Sequence, residues 1–170
     1  MDFIKGYIDI TNSWLSTICK GEYKELKKGD YFYYNNVLYF IDEKNVTTNG
    51  MEEEKRFAKV LNKLYGIKIT VLPRIEIPER IKTPDYYING NEKLDLKTIK
   101  GESRRTFKNS IQKQKDKSNA YIFNVINEKL SNQLIDERIG KLFESSDVKY
   151  LKTAIFVRNN EIIKVYERKK

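Results

Sequence analysis

The sequence predicts a mixed α/β fold of the α+β kind, and three observations carry that prediction. Apolar residues recur at helical spacing in two stretches, residues 51–65 and 131–143. Three pairs of β-rich runs flank turn residues: Asn35-Asn36, Asn89-Gly90-Asn91 and Asn159-Asn160. The run AYIFNVI, residues 120–126, gathers apolar residues without alternation, as a strand covered on both faces does. From residue 51 onward the expected order is α-β-β-β-α-β, followed by a helix and a hairpin.

Taken in order, residues 2–20 place Ile4, Tyr7, Ile8, Leu15 and Ile18 near helical spacing, so a helix is expected there. KGDYFYY and VLYFIDE around Asn35-Asn36 read as a first hairpin, and the polar VTTNG ends this part. Residues 1–50 are therefore expected as an N-terminal extension of helix plus hairpin, and residues 51–170 as the main domain. The helix over Met51–Tyr65 has the stripe Phe57, Leu61 and Leu64, an acidic first turn, and Gly66 in the C-terminal cap position. IKITVL is a strand stopped by Pro73, and PDYYI and KLDLKTI form the second hairpin. Ser103 to Lys117 is expected as a basic helix with Phe107 and Ile111 on its apolar side. After the 120–126 strand, Ser131 caps a helix carrying Leu134, Ile135, Ile139, Leu142 and Phe143. KTAIFV and IIKVY close the chain as the third hairpin.

Composition narrows the chemistry. The 170 residues contain no histidine and one cysteine, Cys19, expected as a half-buried core thiol. Histidine-based general acid–base catalysis, Ser-His-Asp and Cys-His hydrolysis, and zinc sites of His or Cys clusters are excluded with them. A hydrolase of this composition works with carboxylates, lysine, tyrosine and a hard divalent ion. No apolar run approaches the ~20 residues of a spanning helix, and the N-terminus has no secretory pattern. The net charge is +9, which favours a polyanionic partner. Between Lys97 and Lys117 eight basic residues face two acids, so most of that charge lies in one segment. The aromatics of the first hairpin, Tyr31, Phe32, Tyr33, Tyr34, Tyr39 and Phe40, suit base stacking but read first as ordinary packing.

The second hairpin carries the candidate chemistry. Alternation puts Asp85 and Tyr87 on one face of its first strand and Tyr86 and Ile88 on the other. Asp95 and Lys97 share a face of the second strand, opposite Leu94 and Leu96. If both apolar sets face the core, Tyr86 lies opposite Leu94, the loop is the three residues Asn89-Gly90-Asn91, and Asp85 stands opposite Asp95. Two carboxylates at about 5 Å repel unless a divalent cation sits between them. Lys97, one pleat further, can orient water or stabilise charge on a phosphorane-like transition state. Glu54 extends the helix stripe toward the hairpin as a third acid, with Glu53 the alternative. Lys100, Arg104, Arg105, Lys108 and Lys113 are placed to hold backbone phosphates, and Gln114 to face the scissile group.

The stretch from Glu54 through Asn124 resembles the C-terminal tRNase domains of contact-dependent growth inhibition (CdiA-type) toxins and related phage or mobile-element proteins, of the PD-(D/E)xK nuclease class. The resemblance rests on Glu54 with Ala58 and Leu61, Leu72-Pro73-Arg74-Ile75, Thr83-Pro84-Asp85-Tyr86, Asp95-Leu96-Lys97 and the Ser118-to-Val125 strand. It implies a restriction-endonuclease-like αβββαβ core and a divalent ion, Mg²⁺ or Mn²⁺, on Asp85, Asp95 and Glu54. It further implies cleavage of RNA, tRNA ahead of DNA, and an acidic immunity protein. The site of action would be the cytoplasm of a cell into which a larger effector delivers it. Asn124 stands where many relatives carry an acid. Two other readings share the same residues: a DNA endonuclease of a mobile element, and a nucleic-acid-binding module whose acids are structural.

Overall fold

The computed structural model describes residues 5–115 and 117–170; Ile4 of the expected N-terminal stripe lies outside them. The chain begins β1 (Tyr7–Asp9), α1 (Thr11–Thr17), β2 (Tyr23–Glu25), β3 (Tyr31–Tyr34), β4 (Val37–Phe40) and β5 (Val46–Thr47). It continues α2 (Glu52–Tyr65), β6 (Ile69–Val71), β7 (Arg74–Ile75), β8 (Tyr86–Ile88) and β9 (Glu92–Ile99). The last part is α3 (Thr106–Ile111), β10 (Ala120–Val125), α4 (Asn132–Leu142), β11 (Thr153–Arg158) and β12 (Glu161–Arg168). The layout is mixed α/β as expected; from residue 51 onward the expected order holds with the two-residue β7 added, and before it β2 and β5 are strands that were not expected. By packing, the residues up to Thr17 together with Asp95–Lys170 form one unit and Ile18–Leu94 another.

In the Ile18–Leu94 unit, β2 runs parallel to β6, β6 antiparallel to β8, and β8 antiparallel to the start of β9. Helix α2 buries Phe57, Ala58 and Leu61, while Leu64, expected on the stripe, is exposed. Gly66 ends α2 at φ 68°, a left-handed conformation that glycine adopts without steric cost. In the β3–β4 hairpin Tyr31 pairs with Phe40 and Tyr34 with Val37 around Asn35-Asn36, both at positive φ. Phe32 and Tyr34 join Leu26, Ile41, Val46, Leu72 and Ile75 in one core. Tyr31 and Tyr33 are exposed at 60% and 66%, so only alternate aromatics of this hairpin pack as expected.

In the other unit, the residues of β9 from Asp95 onward run parallel to β10, and β10 parallel to β11. β12 lies antiparallel to β11 and to β1. Helices α3 and α4 are the crossovers of the two parallel pairs. Their Phe107, Ile111, Ile135, Ile139 and Leu142 share one core with Tyr121, Phe123, Val125 and Phe156 of the strands. Ser131 caps α4 by accepting from the Leu134 N–H at 3.1 Å, as its position in the sequence predicts.

Three local expectations are corrected. The single N-terminal helix over 2–20 is a strand and a short helix: Tyr7, Ile8 and Asp9 pair with β12, and Asp9 then accepts from the N–H and hydroxyl of Thr11 at 2.9 and 2.5 Å. Sheet pairing and an Asp turn override weak helical spacing there. The basic helix is only six residues long, because the chain leaves α3 at Gln112 and Lys113 takes φ 71°. Cys19 is exposed and not a core thiol.

Candidate active site

The hairpin register is the one that hydrophobic alternation requires. Tyr86 pairs with Leu94, Tyr87 with Lys93 and Ile88 with Glu92, leaving Asn89-Gly90-Asn91 as the loop. Asn89 and Gly90 supply the positive φ values, 49° and 89°.

In the unit formed with the C-terminal half, Asp95 sits on β9 beside Tyr121 of β10, and Lys97 beside Phe123. Asp95 has no exposed surface. A carboxylate stripped of water is costly unless cations and hydrogen-bond donors compensate it. Lys97 Nζ lies 3.0 Å from its Oδ2, and Lys117 Nζ lies 3.4 Å from its Oδ1. Lys97 belongs to the same strand face by the two-residue period. Lys117 comes from the loop between α3 and β10, which sequence reasoning assigned to a continuous helix. No signal in the sequence singled out Lys117 from the other lysines of the basic segment.

Several bonds hold that loop in place. The Tyr121 hydroxyl is directed at the Gln114 and Ser118 carbonyls, at 3.0 and 2.8 Å. Burial first, then Tyr150 and Asp95, push this hydroxyl well above the ordinary phenol range, so it stays a donor. Ser118 accepts from the Ala120 N–H and donates to the Ala120 carbonyl, and Tyr150 donates to the Ile111 carbonyl. Anchored at Ile111, Gln114 and Ser118, this stretch presents Lys117 to Asp95.

Of the residues expected to bind nucleic acid, Lys100 is exposed, with its carbonyl accepting from Asn127, and Lys113 is exposed in the loop. Gln114 is partly buried, and its Oε1 has no hydrogen-bond partner among the described residues. Arg104, Arg105 and Lys108 line a cleft together with residues of α4.

The other two acids belong to the Ile18–Leu94 unit. Asp85 is 8% exposed, and its carbonyl accepts from the Leu72 N–H. Glu54 faces Arg74 at 3.3 Å, and its carbonyl accepts from the Tyr86 hydroxyl at 2.6 Å, which ties this turn of α2 to β8. Glu53 instead pairs with Arg56 of its own helix at 2.6 Å. Of the two glutamates, Glu54 is the one beside the hairpin's first strand.

Among the described residues no group of three or more acids is gathered to hold a metal. Mg²⁺, however, is usually bound by one or two carboxylates together with water and substrate phosphate. Carboxylate oxygens, such as those of Asp95 in one unit and of Asp85 and Glu54 in the other, are the donor type that a hard ion takes.

The class of protein this defines is a mixed α/β protein with a buried carboxylate–lysine centre on a strand that runs parallel to β10. Residues 82–163 match the family model of the contact-dependent growth inhibition CdiA C-terminal domain. The match takes in Asp85, Asp95, Lys97 and Lys117 and begins after Glu54. Comparison with curated proteins gives no significant match, and neither does comparison with solved structures.

Proposed function

We propose that the chain is a toxin nuclease that hydrolyses phosphodiester bonds of RNA, with tRNA the first substrate. The observation that carries this reading is the buried Asp95 held between Lys97 and Lys117, inside the segment that matches the CdiA C-terminal domain. Two ammoniums converge on one carboxylate at a shielded point. Such a point attracts a phosphate and gains strength as negative charge grows on its oxygens in the transition state.

In this reading Lys97 and Lys117 bind and stabilise the reacting phosphate. Asp95 fixes both ammoniums and, with one lysine withdrawn, offers an oxygen to hold or orient water. Asp85 is the second carboxylate of this reading, as the alternation of the hairpin's sequence suggests. A divalent ion, Mg²⁺ or Mn²⁺, held by Asp85 and Asp95 with Glu54 as the further acid, would supply a Lewis acid and lower the pKa of its water. That role compensates for the missing histidine. An acidic immunity protein that covers the basic segment completes the proposal. So does delivery of the domain by a larger effector into the cytoplasm of a target cell. Among the described residues no helix is long and apolar enough to cross a membrane.

The test is incubation of purified protein with total tRNA and, separately, plasmid DNA, each with Mg²⁺ and with EDTA. Discrete tRNA fragments that need Mg²⁺ are expected. Intact tRNA with nicked plasmid would replace RNA by DNA as the substrate. Neither cut, with RNA still bound, would leave a binding module.

A further inference from the structure

The turn before α3, α3 itself and α4 enclose a cleft of about 390 Å³. Arg104, Arg105, Lys108, Arg138 and Lys141 line it against a single acid, Glu137. Lys108 is partly compensated by Asp147 at 2.7 Å. Arg104, Arg105 and Lys141 form no ion pair within 4 Å among the described residues.

Arg138 is the informative member. Its Nη1 is fixed by the carbonyls of Glu102 and Ser103 at 2.7 and 3.4 Å, which locks the guanidinium in place. Its Nε–H is buried and has no hydrogen-bond partner among the described residues. A buried donor on a charged group is costly to leave unmet, so this guanidinium gains from negative charge brought close to it. Three of the five cations are arginines, whose planar forks match phosphate oxygens better than the point charge of lysine does.

We propose that this cleft is a phosphate-binding subsite for a nucleic-acid strand, with Arg138 as its fixed anchor and Arg104, Arg105 and Lys141 closing on the phosphate from the rim. The proposal rests on the reading of this chain as a nucleic-acid enzyme and adds α4 to the binding surface. Helix α3 spans roughly 9 Å, and the loop that follows it carries Lys117 to Asp95, so one strand can touch the cleft and the centre together. Leu134 and Leu142 line the cleft as well and give a sugar an apolar surface.

The test measures binding and does not depend on cleavage. Filter binding of total tRNA in EDTA is followed over a salt series for wild type, Arg105→Ala/Lys141→Ala, and the control Lys28→Ala/Lys63→Ala of equal charge change. Removing two phosphate contacts should weaken binding roughly tenfold or more near 0.1 M salt and flatten the log–log salt slope by about 1.5. Glu137→Gln should tighten binding. Equal losses in the cleft variant and the control, or unchanged binding in the cleft variant, would overturn the subsite; the second outcome would leave the cleft to an acidic protein partner. A chain that cuts no nucleic acid but shows the expected binding differences would lose the nuclease reading and keep this one.

Discussion

Two carboxylate–lysine clusters occupy the unit built around β10–β12, and they are assembled differently. Asp136 on α4 accepts from Lys164 Nζ at 2.9 Å and from the Tyr166 hydroxyl at 2.6 Å, both on one oxygen. Lys164 also lies over the rings of Tyr7 and Tyr166, at 5.4 and 5.0 Å from their centres. Lys164 and the hydroxyl bond the carboxylate directly, Lys5 and Asp9 add one further charge of each sign, aromatic faces cover the ammonium, and the cluster is balanced and closed. Asp95 is more deeply buried, yet it pairs with two ammoniums, one at the longer distance of 3.4 Å. Charge balance at Asp136 describes a structural tie between α4 and β12. At Asp95 two ammoniums meet one buried carboxylate, and the proposed function gives them a substrate phosphate to bind.

The largest effect expected from this contrast is on cleavage. Asp95→Asn keeps the shape but removes the charge that holds Lys97 and Lys117, and tRNA cleavage should fall by about a thousandfold. Asp136→Asn, the same chemical change in the closed cluster, should leave cleavage within about twofold. Parallel time courses with both variants, folded by circular dichroism, check this. Equal losses in the two would mean that Asp95 acts through stability alone.

The lysines sharpen the comparison at a smaller scale. Lys117→Ala should reduce kcat by about a hundredfold with little change in KM, because its ammonium is matched to charge that grows in the transition state. Lys117→Arg, which keeps the charge, should recover part of the loss. Single-turnover kinetics on tRNA would show it. A rise in KM with kcat unchanged would make Lys117 a ground-state phosphate contact instead.

How far the sequence foresaw this depends on the range over which each feature is determined. The hairpin register was legible because a slip of one residue would have turned Tyr86, Ile88, Leu94 and Leu96 away from the core. The Asn35-Asn36 and Asn159-Asn160 turns were legible because both residues of such a turn need positive φ, which Asn tolerates. The end of α3 was not, since nothing local forbids Lys113 from being helical; the Tyr121 and Tyr150 hydroxyls that bind this loop come from elsewhere in the chain. Lys117 was missed for the same reason. Pairing of β1 with the last strand, more than 150 residues away, likewise overrode the helical spacing read over residues 2–20.

The smallest effect belongs to the closed cluster and appears as a pH window. Burial would raise the Asp136 carboxyl, but the hydrogen bonds from Tyr166 and Lys164 outweigh it and hold the group below its ordinary value of 3.8. Its contribution is therefore present above that value and lost as pH falls through the lower folded-state value. Burial would lower Lys164, but its bond to Asp136 outweighs that and holds the ammonium above 10.5. That contribution is full below 10.5 and lost as pH rises through the higher folded-state value. The pair should thus add a plateau of stability from about pH 5 to 10 that declines on both sides. The pair is partly exposed, so the plateau should be worth below about 1 kcal/mol. Urea midpoints of wild type and Asp136→Asn across pH 3 to 11 should differ by a constant amount in that window and converge outside it. A difference that persists unchanged at pH 3 would show that Asp136 contributes through packing and not through its charge.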